Sequence, residues 1–307
     1  MMDRNLVKNM LENAGLKLKK DKPLSKLTTF RIGGPAEFFV SVRTIDELRL
    51  VVNTAKSFHL PWFIIGAGSN LLAPDEGFKG IVFQLSGEFT EIEFRENIAI
   101  AGAGVKLQKL CNESARKELS GLEFIVGIPG TVGGGIYMNA GAWHESILDK
   151  TIKISLFDTE NDEIVTFNAP FDSGYRKSPW QNKRWIILSA EFELKPDSIT
   201  NIETKMKEFF NKRKKTQPLS QPSAGSVFKN PLEYKAAFLI ESAGLKGLSV
   251  GGAKISTKHS NFIVNEKGAK CKDVLSLINI VITEVEKKYG VKLEPEIELM
   301  EEKIFEK

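Results

Sequence analysis

Gly127-Ile128-Pro129-Gly130-Thr131-Val132-Gly133-Gly134-Gly135, running on into Asn139-Ala140-Gly141-Ala142, is the stretch on which the reading of this chain turns. Glycine loses more conformational freedom on folding than any other residue and packs nothing, so a core has little use for such a run. A backbone that must come close to a ligand explains it better than a merely flexible loop, because Ile128, Pro129 and Val132 give the tract a shape. Upstream, Gly66-Ala67-Gly68-Ser69-Asn70-Leu71-Leu72 follows an apolar run at 62–65 that reads as a buried strand. Consecutive N–H groups in such a loop can form a nest for phosphate oxygens, although taken alone a Gly-x-Gly after a strand is more often just a tight turn.

Other phosphate-binding modes fit poorly. A Rossmann fingerprint needs a third glycine three residues after the second, where Gly68 is followed by Leu71 and Gly104 by Leu107. The segment 247–253 has the glycine spacing of a P-loop but carries Ala253 where lysine is required. His59, His144 and His259 are scattered and the two cysteines form no motif, so no metal site is expected. No Gly-x-Ser-x-Gly elbow is present.

Outward from the glycine tracts, 307 residues suffice for two or three units with cores of their own. The chain is 42% hydrophobic and 27% charged, which excludes a disordered or fibrous protein, and its net charge is only +4. The densest basic run, Lys212-Arg213-Lys214-Lys215, falls at the end of an expected helix and complements its dipole, and no aromatic series accompanies it as for nucleic acid. Residues 1–21 show no apolar core of a secretory signal, and no run is long enough to span a membrane. Cys111 and Cys271 read as reduced core residues, so the cytoplasm is the expected compartment. Nothing in the sequence specifies an oligomeric state.

Thr44 and Glu47 form a capping box for a helix over 44–58, followed by the strand at 62–65. Short apolar runs at 81–85, 91–94, 98–101, 152–157, 163–167 and 185–192 read as strands, broken by a helix over 107–119 that Gly121 closes. Thr200 and Glu203 cap a helix to residue 215, with Ile202, Met206 and Phe209 inward. Residues 217–225 read as a linker. A helix over 233–243, a strand at 261–264 and an amphipathic helix over 272–289 ended by Gly290 complete an α+β chain.

Six blocks then resemble one family: Thr28-Thr29-Phe30-Arg31-Ile32-Gly33-Gly34, the 66–72 loop, the 127–142 tract, Tyr175-Arg176, Ala224-Gly225-Ser226-Val227-Phe228-Lys229-Asn230-Pro231, and Glu294-Pro295-Glu296-Ile297. In this order they resemble the signature of the UDP-N-acetylenolpyruvoylglucosamine reductases. The glycine loops alone fit the wider class of vanillyl-alcohol-oxidase-like FAD domains.

The resemblance implies a first FAD-binding subdomain at 1–79 with 297–307 packing back on it, a second at 80–215, and a substrate domain at 216–296. It implies non-covalent FAD, with no histidine in the first loop to carry the flavin, and NADPH as co-substrate for reducing the enolpyruvyl ether of a UDP-sugar to UDP-N-acetylmuramate. Gly66, Ala67, Gly68, Ser69, Asn70, Leu71, Gly127, Ile128, Pro129, Gly130, Thr131, Gly133, Gly134, Asn139, Ala140 and Gly141 would hold the cofactor. Arg176, Ser226 and Glu296 match the family's reacting groups: a carboxylate-binding guanidinium, a proton donor and an orienting glutamate. Tyr175, Asn230 and Lys229 would contact substrate. The chain passes from Leu194 to the next helix without the tyrosine-bearing insertion of some members, so it resembles the shorter subclass and leaves open what closes its site. The alternatives are another FAD-dependent oxidase or dehydrogenase acting on a hydroxy acid or alcohol, or a nucleotide-sugar-binding module without catalysis.

Overall fold

A computed structural model describes residues 4–301 apart from Asn182. The first three residues of the N-terminal stretch and the last six of the expected 297–307 return segment lie outside the described residues.

Helix α1 (Arg4–Asn13) leads into β1 (Leu18–Pro23) and β2 (Pro35–Val42). Then follow α2 (Ile45–Ser57), β3 (Trp62–Ile64), β4 (Leu71–Leu72) and β5 (Phe78–Leu85). The sheet order is β1-β2-β5-β3, with β2 and β3 parallel to β5 and β1 antiparallel to β2. The sheet therefore runs to Leu85, beyond the seam expected at residue 79, because Ile81, Val82 and Phe83 are fully buried on a central strand. Thr44 caps α2 as expected, its Oγ1 accepting from Glu47 N at 3.2 Å. The Glu47 carboxylate instead accepts from Arg43 N at 2.6 Å, one residue earlier than a capping box requires.

The second sheet is antiparallel throughout and built from β6 (Ile92–Arg95), β7 (Ile98–Gly102), β11 (Thr151–Asp158), β12 (Glu163–Asn168) and β13 (Trp185–Glu193), in the order β12-β11-β13-β7-β6. Between β7 and β11 lie α3 (Leu107–Arg116), β8 (Leu119–Ser120), α4 (Val132–Tyr137) and the short hairpin of β9 (Gly141–Ala142) with β10 (Glu145–Ser146). Helix α3 ends at Arg116, earlier than expected, since Glu118 takes a left-handed φ of 56° and the chain turns into β8 before Gly121. β14 (Lys195–Pro196) pairs with β8 and fixes the entry to α5 (Ile199–Thr216). Extended Ser198, not Thr200, caps that helix, its Oγ accepting from Asn201 N.

The third sheet, β15-β18-β17-β16, comprises β15 (Ser223–Ser226), β16 (Ser249–Val250), β17 (Ala253–Ile255) and β18 (Phe262–Asn265). It packs under α6 (Ala236–Ser242) and α7 (Cys271–Tyr289), the latter ended by left-handed Gly290. β19 (Glu298–Leu299) returns to pair in parallel with β4, and Met300 is buried with Leu71, Ala73 and Phe78 of the first unit. The α+β character is as expected.

Candidate active site

Residues 66–71 and 127–131 face each other across a cavity of about 890 Å³, within the range of small-molecule sites. The first loop leaves β3 and the second follows α3. They meet where Gly66 has no side chain, since a Cβ there would lie 2.6 Å from Thr131 Oγ1. Gly68 has a φ of 60°, and a Cβ on it would strike Leu27 O at 2.2 Å. Gln84 Nε2 donates to Gly66 O at 2.7 Å and Gly127 N donates to Gln108 Oε1 at 3.0 Å, so each loop is anchored from behind. Among the described residues, no acceptor within the chain meets the N–H groups of Ala67, Gly68, Ser69 and Asn70. A run of unsatisfied amides on a cavity wall fits the diphosphate of a dinucleotide.

The second tract is less loop-like than its composition suggests. Thr131 Oγ1 accepts from Gly134 N at 3.3 Å and opens α4, which runs through the three glycines. Gly133 lies against Ala103 and donates to its carbonyl at 2.9 Å, and a Cβ on Gly135 would press on Ile147 and Leu107. Part of the glycine density thus serves close packing on β7 and α3.

Arg176, Ser226 and Glu296 all line this cavity. Arg176 Nε donates to Glu296 Oε1 at 2.5 Å, and its outer nitrogens reach Gly141 O at 3.2 Å and Asn139 O at 3.5 Å. Arg176 holds a left-handed φ of 56°, and its Cζ lies 5.0 Å from the Tyr175 ring centroid. Glu296 is brought beside Ser226 by the backbone: its N–H donates to Val227 O at 2.7 Å, and Asn70 Nδ2 donates to Glu296 O at 2.9 Å. The other carboxylate oxygen, Oε2, is buried with no hydrogen-bond partner. Burial pushes the Glu296 carboxyl above the usual carboxylate range, with Arg176 pulling the other way.

The remaining expected residues divide. Gly66 to Leu71, Gly127 to Thr131, Gly133, Gly134, Ala140 and Gly141 line the cavity. Asn139 does not; its side chain donates to Gly174 O and accepts from Leu148 N, so it holds the tract in shape. Tyr175 and Asn230 lie together outside the cavity lining, Asn230 Nδ2 at 3.3 Å from the tyrosine hydroxyl. Lys229 Nζ pairs with Glu294 at 3.4 Å on the exposed side and is also absent from the lining.

By sequence Arg213 belongs to a basic run that complements the dipole of its helix, but it is buried against Gly127 on the cavity wall, with its Nε unpartnered. Burial first, then repulsion from Arg176, lowers its guanidinium to about 10, still cationic at neutral pH. The signal was available: Arg213 falls four residues after inward-facing Phe209, on the same helix face. No group of three His, Cys, Asp or Glu side chains that could hold a metal occurs among the described residues.

Two family models match: an FAD binding domain over residues 36–168, and the C-terminal domain of UDP-N-acetylenolpyruvoylglucosamine reductase over 217–300. A reductase of that name from Caldanaerobacter subterraneus is 42% identical over 94% of this chain and 95% of its own length. This chain belongs to the UDP-N-acetylenolpyruvoylglucosamine reductase family. The Bacillus subtilis reductase is 39% identical over 96% of the chain and 98% of its own length. The crystal structure of the reductase from Thermus caldophilus superposes with a TM-score of 0.78 at 36% identity, covering 93% of this chain and 99% of that one.

Proposed function

We propose that this protein uses FAD and NADPH to reduce UDP-N-acetyl-3-O-(1-carboxyvinyl)-glucosamine to UDP-N-acetylmuramate, a step of peptidoglycan precursor synthesis in the cytoplasm. The observation that carries the reading is the Arg176–Glu296 pair at 2.5 Å beside Ser226, on the wall of a cavity framed by both glycine loops. In this reading the cofactor lies non-covalently between the loops of the first two units, and residues 216–296 supply the substrate domain.

The chemistry supplied by bound FAD is hydride transfer from NADPH to the vinyl carbon. Addition there leaves negative charge on the adjoining carbon and its carboxylate. Arg176 offers that carboxylate a planar, charged fork fixed by Glu296 and by the carbonyls of Asn139 and Gly141 before substrate arrives. Such preorganised charge lowers the barrier because nothing must reorient as the charge develops. Ser226 Oγ delivers the proton to the carbon beside the carboxylate; a hydroxyl is a weak acid in water, but an enolate is a strong base. Glu296, whose carboxyl keeps its proton to a higher pH than usual, orients Arg176 through Oε1 and presents Oε2 as a second hydrogen-bonding point. Arg213 adds a buried cation on the same wall, with no ion pair among the described residues and its Nε unpartnered.

Separating the half-reactions tests the assignment. Ser226→Ala should leave NADPH bleaching of the flavin intact and slow flavin reoxidation by the enolpyruvyl sugar by about 10²-fold or more. Equal damage to both half-reactions, measured by stopped-flow absorbance, would remove Ser226 from its role.

A further inference from the structure

The hairpin β9–β10 is joined by two residues, since Glu145 pairs with Ala142. Trp143 and His144 form the turn with φ of 57° and 67°. Such turns favour Asn-Gly because both positions need left-handed backbone, which a bulky residue adopts only at a cost. Despite that cost, a tryptophan stands there, 38% exposed, on the lining of the cavity that also holds Arg176 and Ser226. Its ring stacks on Phe209 of α5 with centroids 5.7 Å apart and planes 5° from parallel. Lys212 Nζ lies over both rings, 5.6 Å from each centroid. Among the described residues no carboxylate is within ion-pair distance of Lys212. The hairpin is tied to the reacting groups, because Arg176 donates to Gly141 O at 3.2 Å.

We propose that Trp143 is a stacking platform for the heteroaromatic base of a nucleotide ligand, with Lys212 placed for that nucleotide's phosphates. The proposal deepens the reductase reading and rests on it, since the UDP-sugar and NADPH each join a base to a diphosphate. One face of the indole is backed by Phe209 on a long helix, so its position is fixed before a third ring arrives. Stacking needs no particular base, because every base presents a π-face, and the ammonium at the stack suits the phosphates of the same nucleotide. A ligand laid this way points its far end along the hairpin toward Arg176.

Calorimetric titration of the FAD-loaded protein with UDP and, separately, with NADP⁺ tests this. Trp143→Ala should weaken one of the two by about 10-fold, Trp143→Phe should bind nearly as the parent, and Lys212→Gln should flatten the salt dependence of that same nucleotide. Loss of UDP assigns the platform to the uracil of the sugar nucleotide, and loss of NADP⁺ assigns it to the reductant. Trp143→Leu keeps an apolar filler on the hairpin without a stacking ring. If it binds both nucleotides as tightly as the parent, the platform is overturned even should Trp143→Ala fail to fold. A parent protein that takes up FAD but binds neither nucleotide removes the reductase reading and the platform with it. Parent binding unmoved by Trp143→Ala removes the platform alone.

Discussion

Glu296 has one carboxylate oxygen on Arg176 and the other buried without a partner, and the two facts pull its acidity in opposite directions. Burial prevails, so the folded carboxyl holds its proton more tightly than the unfolded one. Acid therefore stabilises the fold at this group, and the contribution is lost as pH rises through the raised value of the folded carboxyl. Glu296→Gln does not titrate, so its melting temperature relative to the parent should climb as pH rises above the ordinary glutamate value of about 4.3. A pH-independent difference in calorimetric scans would refute that sign. The two cysteines follow the same physics without a role in the site: burial pushes Cys111 up to about 12 and Cys271 up to about 11, so both stay unreactive thiols near neutrality. Their buried, reduced state was readable from apolar helical spacing. The pairing of Arg176 with Glu296, 120 residues apart, was not; only the family resemblance joined them.

The two glycine loops show how much of an element its composition reveals. Gly68 is irreplaceable for two reasons, its left-handed φ and the backbone of Leu27 and Thr28 where a Cβ would sit. Gly66 faces a side-chain hydroxyl, Thr131 Oγ1, which can turn away only by giving up its cap on Gly134 N. Gly68→Ala should therefore abolish FAD retention while Gly66→Ala only weakens it, read as bound flavin absorbance after gel filtration with far-UV circular dichroism unchanged. Equal retention by the two would contradict the geometry. Helix ends were read less well than helix bodies. Ser198 and Thr200 are both competent caps, and the choice fell to Ser198 because pairing of β14 with β8 delivers the chain there in extended form. The early end of α3 has the same origin, the demand of β8 outweighing the pull of Gly121.

The three units are stitched together away from the cavity as well as around it. Phe30, Ile32 and Leu72, from the first unit by sequence, are buried in the core under α6 and α7. Asp75 crosses between the same elements: its carboxylate accepts from Cys271 N at 2.9 Å and Lys272 N at 3.4 Å, capping α7 from the turn before β5. Asp75→Ala should cost about 1–2 kcal/mol and lower the thermal midpoint by a few degrees, with amide exchange rising first in the opening turn of α7. Uniform exchange across the chain would argue against a cap. Local order along the chain (strands, helix bodies and glycine tracts) is written in side-chain period and backbone freedom, which neighbours in sequence decide. The run of β5 to Leu85, the burial of Arg213 and the placing of Ser226, Glu296 and Arg176 on one cavity wall depend on which surfaces cover one another. Only the packed chain decides that, because burial and long-range hydrogen bonds are properties of the assembled units and not of any segment.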